Sequence, residues 1–131
     1  MPSREYLKSD TRQRERAYSP AVKITGGTTI YLAGHTGYQD ERGETYPDNF
    51  DGQVRVAFER MHKTLEAAGG KLGDIVTMTV FITNMANGTR FTQLRKEFFQ
   101  EGCYPASALI GIKELARPEM LVEIQAIAVV D

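Results

Sequence analysis

The chain has 131 residues, 41% hydrophobic and 25% charged, the size and balance of one ordinary domain able to bury a core without a metal or disulfide staple. A net charge of −1 supplies no basic excess to neutralise phosphates, which argues against nucleic acid as a partner. The single Cys103 excludes an intrachain disulfide and suits a reducing compartment. There is also no signal-type or bilayer-length apolar run, so a cytoplasmic protein with no membrane partner is expected.

In chain order, residues 1–16 read as a polar lead-in to a single domain covering 1–131. "AVKITGGTTIYLAG" then reads as two short strands around a Gly26-Gly27 hairpin turn. "HTGYQDERGETYPDN" is a loop, with room for a short strand near Thr45. From Asp51 to Ala68, the residues Val54, Phe58, Met61, Leu65 and Ala68 repeat every three or four positions, which predicts a helix. Asp51 or Asn49 can cap its start, and Gly69-Gly70 can stop it.

"DIVTMTVFITN" alternates as a strand does, with Val76, Met78, Val80 and Ile82 on one face and Thr77, Thr79, Phe81 and Thr83 on the other. A shorter helix fits 88–100, carrying Phe91, Leu94 and Phe98 on one side. "ASALIGI" and "LVEIQAIAVV" complete the set as strands, separated by a turn near Arg117-Pro118. Two helices among five or six strands predict an α+β layer with both helices on one face of a mixed sheet. The threonine-bearing face is left for solvent or for another subunit.

"TLEAAGGKLGDIVTMTVFIT", "FTQLRKEFF", "YPAS" and the ending "LVEIQAIAVV" occur together in an order and spacing that resembles the reactive intermediate deaminase (Rid, or YjgF) family from about Ser19 onward. The resemblance implies a chorismate-mutase-like α+β fold of about six strands and two helices. It also implies a homotrimer whose intersubunit clefts bind a small molecule and hydrolyse enamines and imines, without metal or cofactor.

Carried over residue by residue, the resemblance keeps two positions of the cleft. Glu123 matches the glutamate that positions the hydrolytic water, and Gly34 matches a glycine that lets backbone approach a ligand closely. The other positions differ. Ser107, in Pro105-Ala106-Ser107-Ala108, stands where active members carry an arginine that grips the substrate carboxylate in a bidentate fork, a geometry no hydroxyl reproduces. Leu109 replaces a cysteine, Ala21 a tyrosine, Ala33 a serine, His35 a glutamine, and Thr92 falls near an asparagine.

The catalytic candidate is therefore Glu123, with Ser107, His35, Gly34, Thr92 and Leu109 as substrate-binding candidates. A carboxylate in the apolar run around Glu123 needs a reason to be there: it reads as a water-holding base or as a partner for a backbone group or a neighbouring subunit's arginine. His35 reads as an acid-base or hydrogen-bonding residue, or as a solvated loop histidine. Ser107 has no partner base by spacing and no nucleophile elbow, which favours a ligand contact over a nucleophile. Cys103 reads as an inert loop thiol, and Arg90 and Arg117 as surface charges that could reach a cleft. The expected activity is hydrolysis of an imine, enamine or related C–N bond in a substrate that lacks an α-carboxylate or is held through another group. A trimer that binds a small ligand without catalysis is the alternative.

Overall fold

The computed structural model describes residues 2–131. Six strands and three helices follow one another as β1 (Ser3–Tyr6), α1 (Thr11–Glu15), β2 (Val22–Thr25), β3 (Thr28–Thr36), α2 (Phe50–Ala67), β4 (Ile75–Ile82), α3 (Gly88–Arg95), β5 (Ala106–Gly111) and β6 (Val122–Val130). The α+β class read from the sequence is the class observed. Four strands form a mixed sheet in the order β3-β6-β4-β5, antiparallel except for the β4–β5 pair. The parallel pair needs a crossover, and α3 supplies it.

Within the expected lead-in of residues 1–16, residues 3–15 are largely ordered into β1 and α1. β1 pairs with β2 in a separate two-stranded ribbon, and α1 starts with a reciprocal capping box between Asp10 and Gln13. The expected hairpin between β2 and β3 does not pair. Gly26 and Gly27 both take positive φ, 80° and 82°, and pass the chain from the ribbon into the main sheet. β2 finds its partner in β1, and β3 finds its own in β6. Arg4 fastens the ribbon to the sheet, donating to Asp74 Oδ1 at 3.2 Å and to the Val129 carbonyl.

α2 lies across the sheet and carries the core. Val54, Ala57, Phe58, Met61 and Leu65 are fully buried, and Phe58 stacks on Phe98 with ring centroids 4.6 Å apart and on Phe91 at 6.1 Å. Asn49 caps the helix by accepting from the Gly52 amide. The stop is a complete Schellman motif: Gly69 N–H bonds Glu66 O at 3.1 Å and Gly70 N–H bonds Leu65 O at 2.8 Å, with Gly69 at φ 83°. Ala68, expected on the apolar stripe, is the exposed cap residue beyond it.

The second helix ends at Arg95 instead of residue 100; the chain leaves it through tight turns, Glu97 N–H to Leu94 O and Phe98 N–H to Arg95 O. These turns swing Phe98 and Phe99 onto Phe58. In β4 a bulge between Ile75 and Thr77 shifts the alternation by one, so Ile75 is buried and Val76 only partly. No helix is long and apolar enough to cross a membrane among the described residues.

Candidate functional site around Glu123 and Ser107

Strand register decides which candidates can meet. Glu123 pairs with Phe81 on β4 and with Thr36 on β3, and it is half-buried on the sheet face opposite the helices. Thr79 pairs with Gln125 and Tyr31 with Ile127 on that same open face, where Tyr31 is 78% exposed. Gly34 lies in the bulge between Leu32 and His35. A Cβ added there would sit 2.8 Å from Glu123 Cδ and closer still to Oε2. The glycine makes room for the Glu123 side chain, so the close approach foreseen at this position is to the glutamate. Glu123 makes no ion pair among the described residues.

His35 follows the bulge and turns the other way, toward α2. Its Nδ1 lies 2.7 Å from Ala33 O and its Nε2 2.9 Å from Thr64 Oγ1. A carbonyl can only accept, so Nδ1 carries the proton and, in the neutral ring, Nε2 accepts from the Thr64 hydroxyl. Both ring nitrogens are engaged within the chain.

Ser107 pairs with the buried Met78 and Leu109 with the buried Val80, which turns both toward the helix layer. Ser107 Oγ accepts a 2.7 Å bond from Arg95 Nη1. Thr92, on α3 and buried, gives its hydroxyl back to Thr89 O at 2.7 Å. Leu109 packs near the start of α3, its Cδ2 3.5 Å from where a Gly88 Cβ would lie. Ser107, Leu109, Thr92 and Arg95 thus form one group at the α3–β5 seam. Glu123 and Gly34 form another on the opposite face, two strands away or about 10 Å in the sheet. One chain alone does not bring the two groups together.

The two arginines expected at the surface within reach of a cleft have clear positions. Arg90 is held by Asp51 at 2.6 Å. Arg117 lines a recess of about 490 Å³ with Thr36, Arg60 and Asp40, at the end of β3 where Thr36 meets Glu123. Cys103 is exposed in the loop before Tyr104.

The sequence reading missed Arg95 and Gln53. Gln53 is fully buried: its Nε2 donates to Tyr46 O and Glu119 O, each at 2.9 Å, and its Oε1 accepts from Leu121 N–H at 2.9 Å. It fixes the entry to β6, two residues before Glu123. A glutamine or arginine on a helix usually faces water, and neither has a motif around it; only an apolar setting at helical spacing could have marked them.

An α+β chain with a mixed four-stranded sheet and one long covering helix is a fold shared with solved Rid-family structures. The family model described as Endoribonuclease L-PSP matches residues 10–130, and the chain belongs to this family. A 2-iminobutanoate/2-iminopropanoate deaminase from Dermatophagoides farinae is 33% identical over 114 residues, 87% of this chain and 86% of that protein. Among solved structures, the Rid-family protein YyfB from Yersinia pestis superposes with a TM-score of 0.84 at 26% identity, covering 97% and 98% of the two chains. RidA from the Antarctic bacterium Psychrobacter superposes with a TM-score of 0.72 at 28% identity, covering 96% and 99%.

Proposed function

We propose that the protein hydrolyses the C–N bond of a small imine or enamine in a cleft between subunits of a homotrimer, with Glu123 orienting the water. The observation that carries this is the Gly34–Glu123 pair: a carboxylate with no ion pair among the described residues, held over a bulge glycine, in a chain whose relatives include a named iminoacid deaminase. A carboxylate in that position accepts a proton from water as its oxygen bonds to the imine carbon. The C=N electron pair moves to nitrogen, which takes up the proton. The carbinolamine then collapses: its hydroxyl proton passes to the amine nitrogen, the C–N bond breaks, ammonia leaves and a carbonyl remains.

The open sheet face supports the subunit arrangement. Thr77, Thr79, Gln125 and Ile127 line a shallow depression there beside exposed Tyr31, the mixed surface of a face covered by another copy. Association through it would carry Glu123 of one chain toward the α3–β5 seam of the next. His35, tied to Thr64, shapes the wall of this cleft by holding the bulge against α2.

Without an arginine at position 107, the two-point grip on a 2-iminoacid carboxylate is missing. 2-Iminopropionate is therefore expected to be hydrolysed with kcat/KM at least about ten-fold below that of the Dermatophagoides relative, chiefly through KM. The test is a screen of 2-iminopropionate against imines and enamines of other substitution, following ammonia release with wild type and Glu123→Gln. Loss of about 100-fold or more in kcat is expected in the variant. Unchanged turnover by Glu123→Gln would refute its role. A mass in solution near the 14.7 kDa of one chain, and not three times that, would remove the cleft.

A further inference from the structure

Beyond Thr36 the chain leaves β3 for the loop of residues 37–48, and a recess lies between that loop and the turn that precedes β6. Buried Gln53 ties both sides of it to α2, donating to Tyr46 O in the loop and to Glu119 O in the turn and accepting from Leu121 N–H. The turn is closed by Met120 N–H on Arg117 O at 3.1 Å, with Pro118 fixing its φ. A Cβ at Gly37 would collide with the Gln53 carbonyl, so the loop starts pressed against α2. Thr36, Tyr38, Arg60, Arg117 and Met120 line the recess, about 490 Å³ in volume. That is the size of a small-molecule pocket and far more than a bare oxyanion fills.

Two carboxylates, Asp40 and Glu41, also border the recess, and both are engaged elsewhere. Asp40 Oδ1 accepts from the Arg42 and Glu44 amides, each at 2.9 Å, and Oδ2 from the Tyr46 hydroxyl at 2.9 Å and from Arg42 Nη2 at 3.4 Å. Glu41 is paired with Lys63. Neither Arg60 nor Arg117 has an ion pair among the described residues. Arg60 is steadied by giving Nη1 to Thr36 O at 2.9 Å, while its Nε and Nη2 and the whole Arg117 guanidinium have no protein acceptor among the described residues. The Arg42–Asp40 and Lys63–Glu41 pairs cancel, so the recess keeps an excess of two positive charges, both carried by planar forks.

We propose that this recess binds a small phosphomonoester, with Arg60 and Arg117 sharing the phosphoryl dianion and Tyr38 and Met120 flanking the esterified group. A guanidinium meets two phosphate oxygens through parallel N–H bonds, and two guanidinium groups match the two charges of the dianion. The room left over is bounded by a phenol ring and a thioether, surfaces that suit a compact organic group. The site uses neither Glu123 nor the α3–β5 seam. It goes beyond the hydrolytic reading and does not rest on it.

The probes are phenyl phosphate, a dianion at about pH 8, phenyl sulfate, which has the same shape and one charge, and inorganic phosphate. Binding is followed by protein-observed NMR titration of the full chain in about 50 mM salt, where exposed charges are only partly screened. Phenyl phosphate should bind about ten-fold more tightly than either other probe. Arg60→Met and Arg117→Met should each weaken it about ten-fold, and Arg117→Lys, which keeps the charge without the fork, should recover part of the loss. Arg90→Met, which removes an arginine that Asp51 already holds, should change nothing. Equal binding of phenyl phosphate and phenyl sulfate overturns the dianion site. Inorganic phosphate binding as tightly as the ester overturns the esterified ligand, and a loss in Arg90→Met equal to that in the recess variants assigns the binding to general surface charge and overturns the site. Thermal melts check folding; if Arg60→Met, which also loses the Thr36 contact, melts early, Arg117→Met decides. No imine is turned over in this titration, so its failure and the failure of the hydrolysis screen are separate results.

Discussion

At the scale of single residues, Gly34 and Glu123 form the most constrained pair on the open face. Alanine at 34 would drive its methyl into the Glu123 carboxylate, and the long side chain would swing aside before the strand moved. Gly34→Ala is therefore expected to lower kcat by about ten-fold or more while costing only about 1 kcal/mol of stability, read by turnover and denaturant melts side by side. Equal loss of both would mean that the glycine serves the strand and not the glutamate. Glu123 and Gly34 were legible in the sequence because they sit inside a family pattern. Arg95 was not, because what sets it apart is its burial at the α3–β5 seam, which a sequence does not display.

Among the elements, α2 was readable nearly to its ends, since both its apolar stripe and its caps are local signals. Its C-terminal stop gives a clean measurement. Gly69 has φ 83° with nothing within 4 Å of a Cβ, whereas Gly73 has the same open space without positive φ. Gly69→Ala should cost about 1 kcal/mol through backbone strain alone, and Gly73→Ala should be neutral or slightly stabilising, by urea denaturation. The β2–β3 junction was misread for a physical reason. Gly-Gly between β-branched runs is the local signal of a hairpin, but pairing is decided by which edge is free, and β1 offers one to β2. The bulges in β3 and β4 are equally invisible locally, because they are set by register against β6.

Over the whole molecule, α2 is cross-linked at its outer surface to α3 by Arg90–Asp51 and to the turn that follows α3 by Arg55–Glu97. The Arg90 hydrogen bonds hold the Asp51 carboxyl below its ordinary value of 3.8 despite some burial, and Arg55 likewise holds Glu97 below 4.5. Carboxyls depressed by folding add stability that is fully present above their unfolded values and lost as the pH falls through the folded ones. The melting temperature should therefore be insensitive to these groups above about pH 5 and should fall below about pH 4. In Arg90→Ala/Arg55→Ala this acid limb should be shallower, as checked by thermal melts from pH 2.5 to 7. An acid limb unchanged in the double variant would assign it to other carboxyls. The mixed sheet and its polar open face were expected from the pattern of strands and threonines; the split into two sheets depends on the first residues of the chain, which looked featureless on composition.

The carbonyl of Arg16 that receives Arg95 belongs to that N-terminal arm. The bond couples the N-terminal arm to the one buried charged side chain among the described residues, next to Ala17 at φ 62°. A change in the arm would therefore be felt at β5 through Arg95, with no substitution in the strand that bears Ser107.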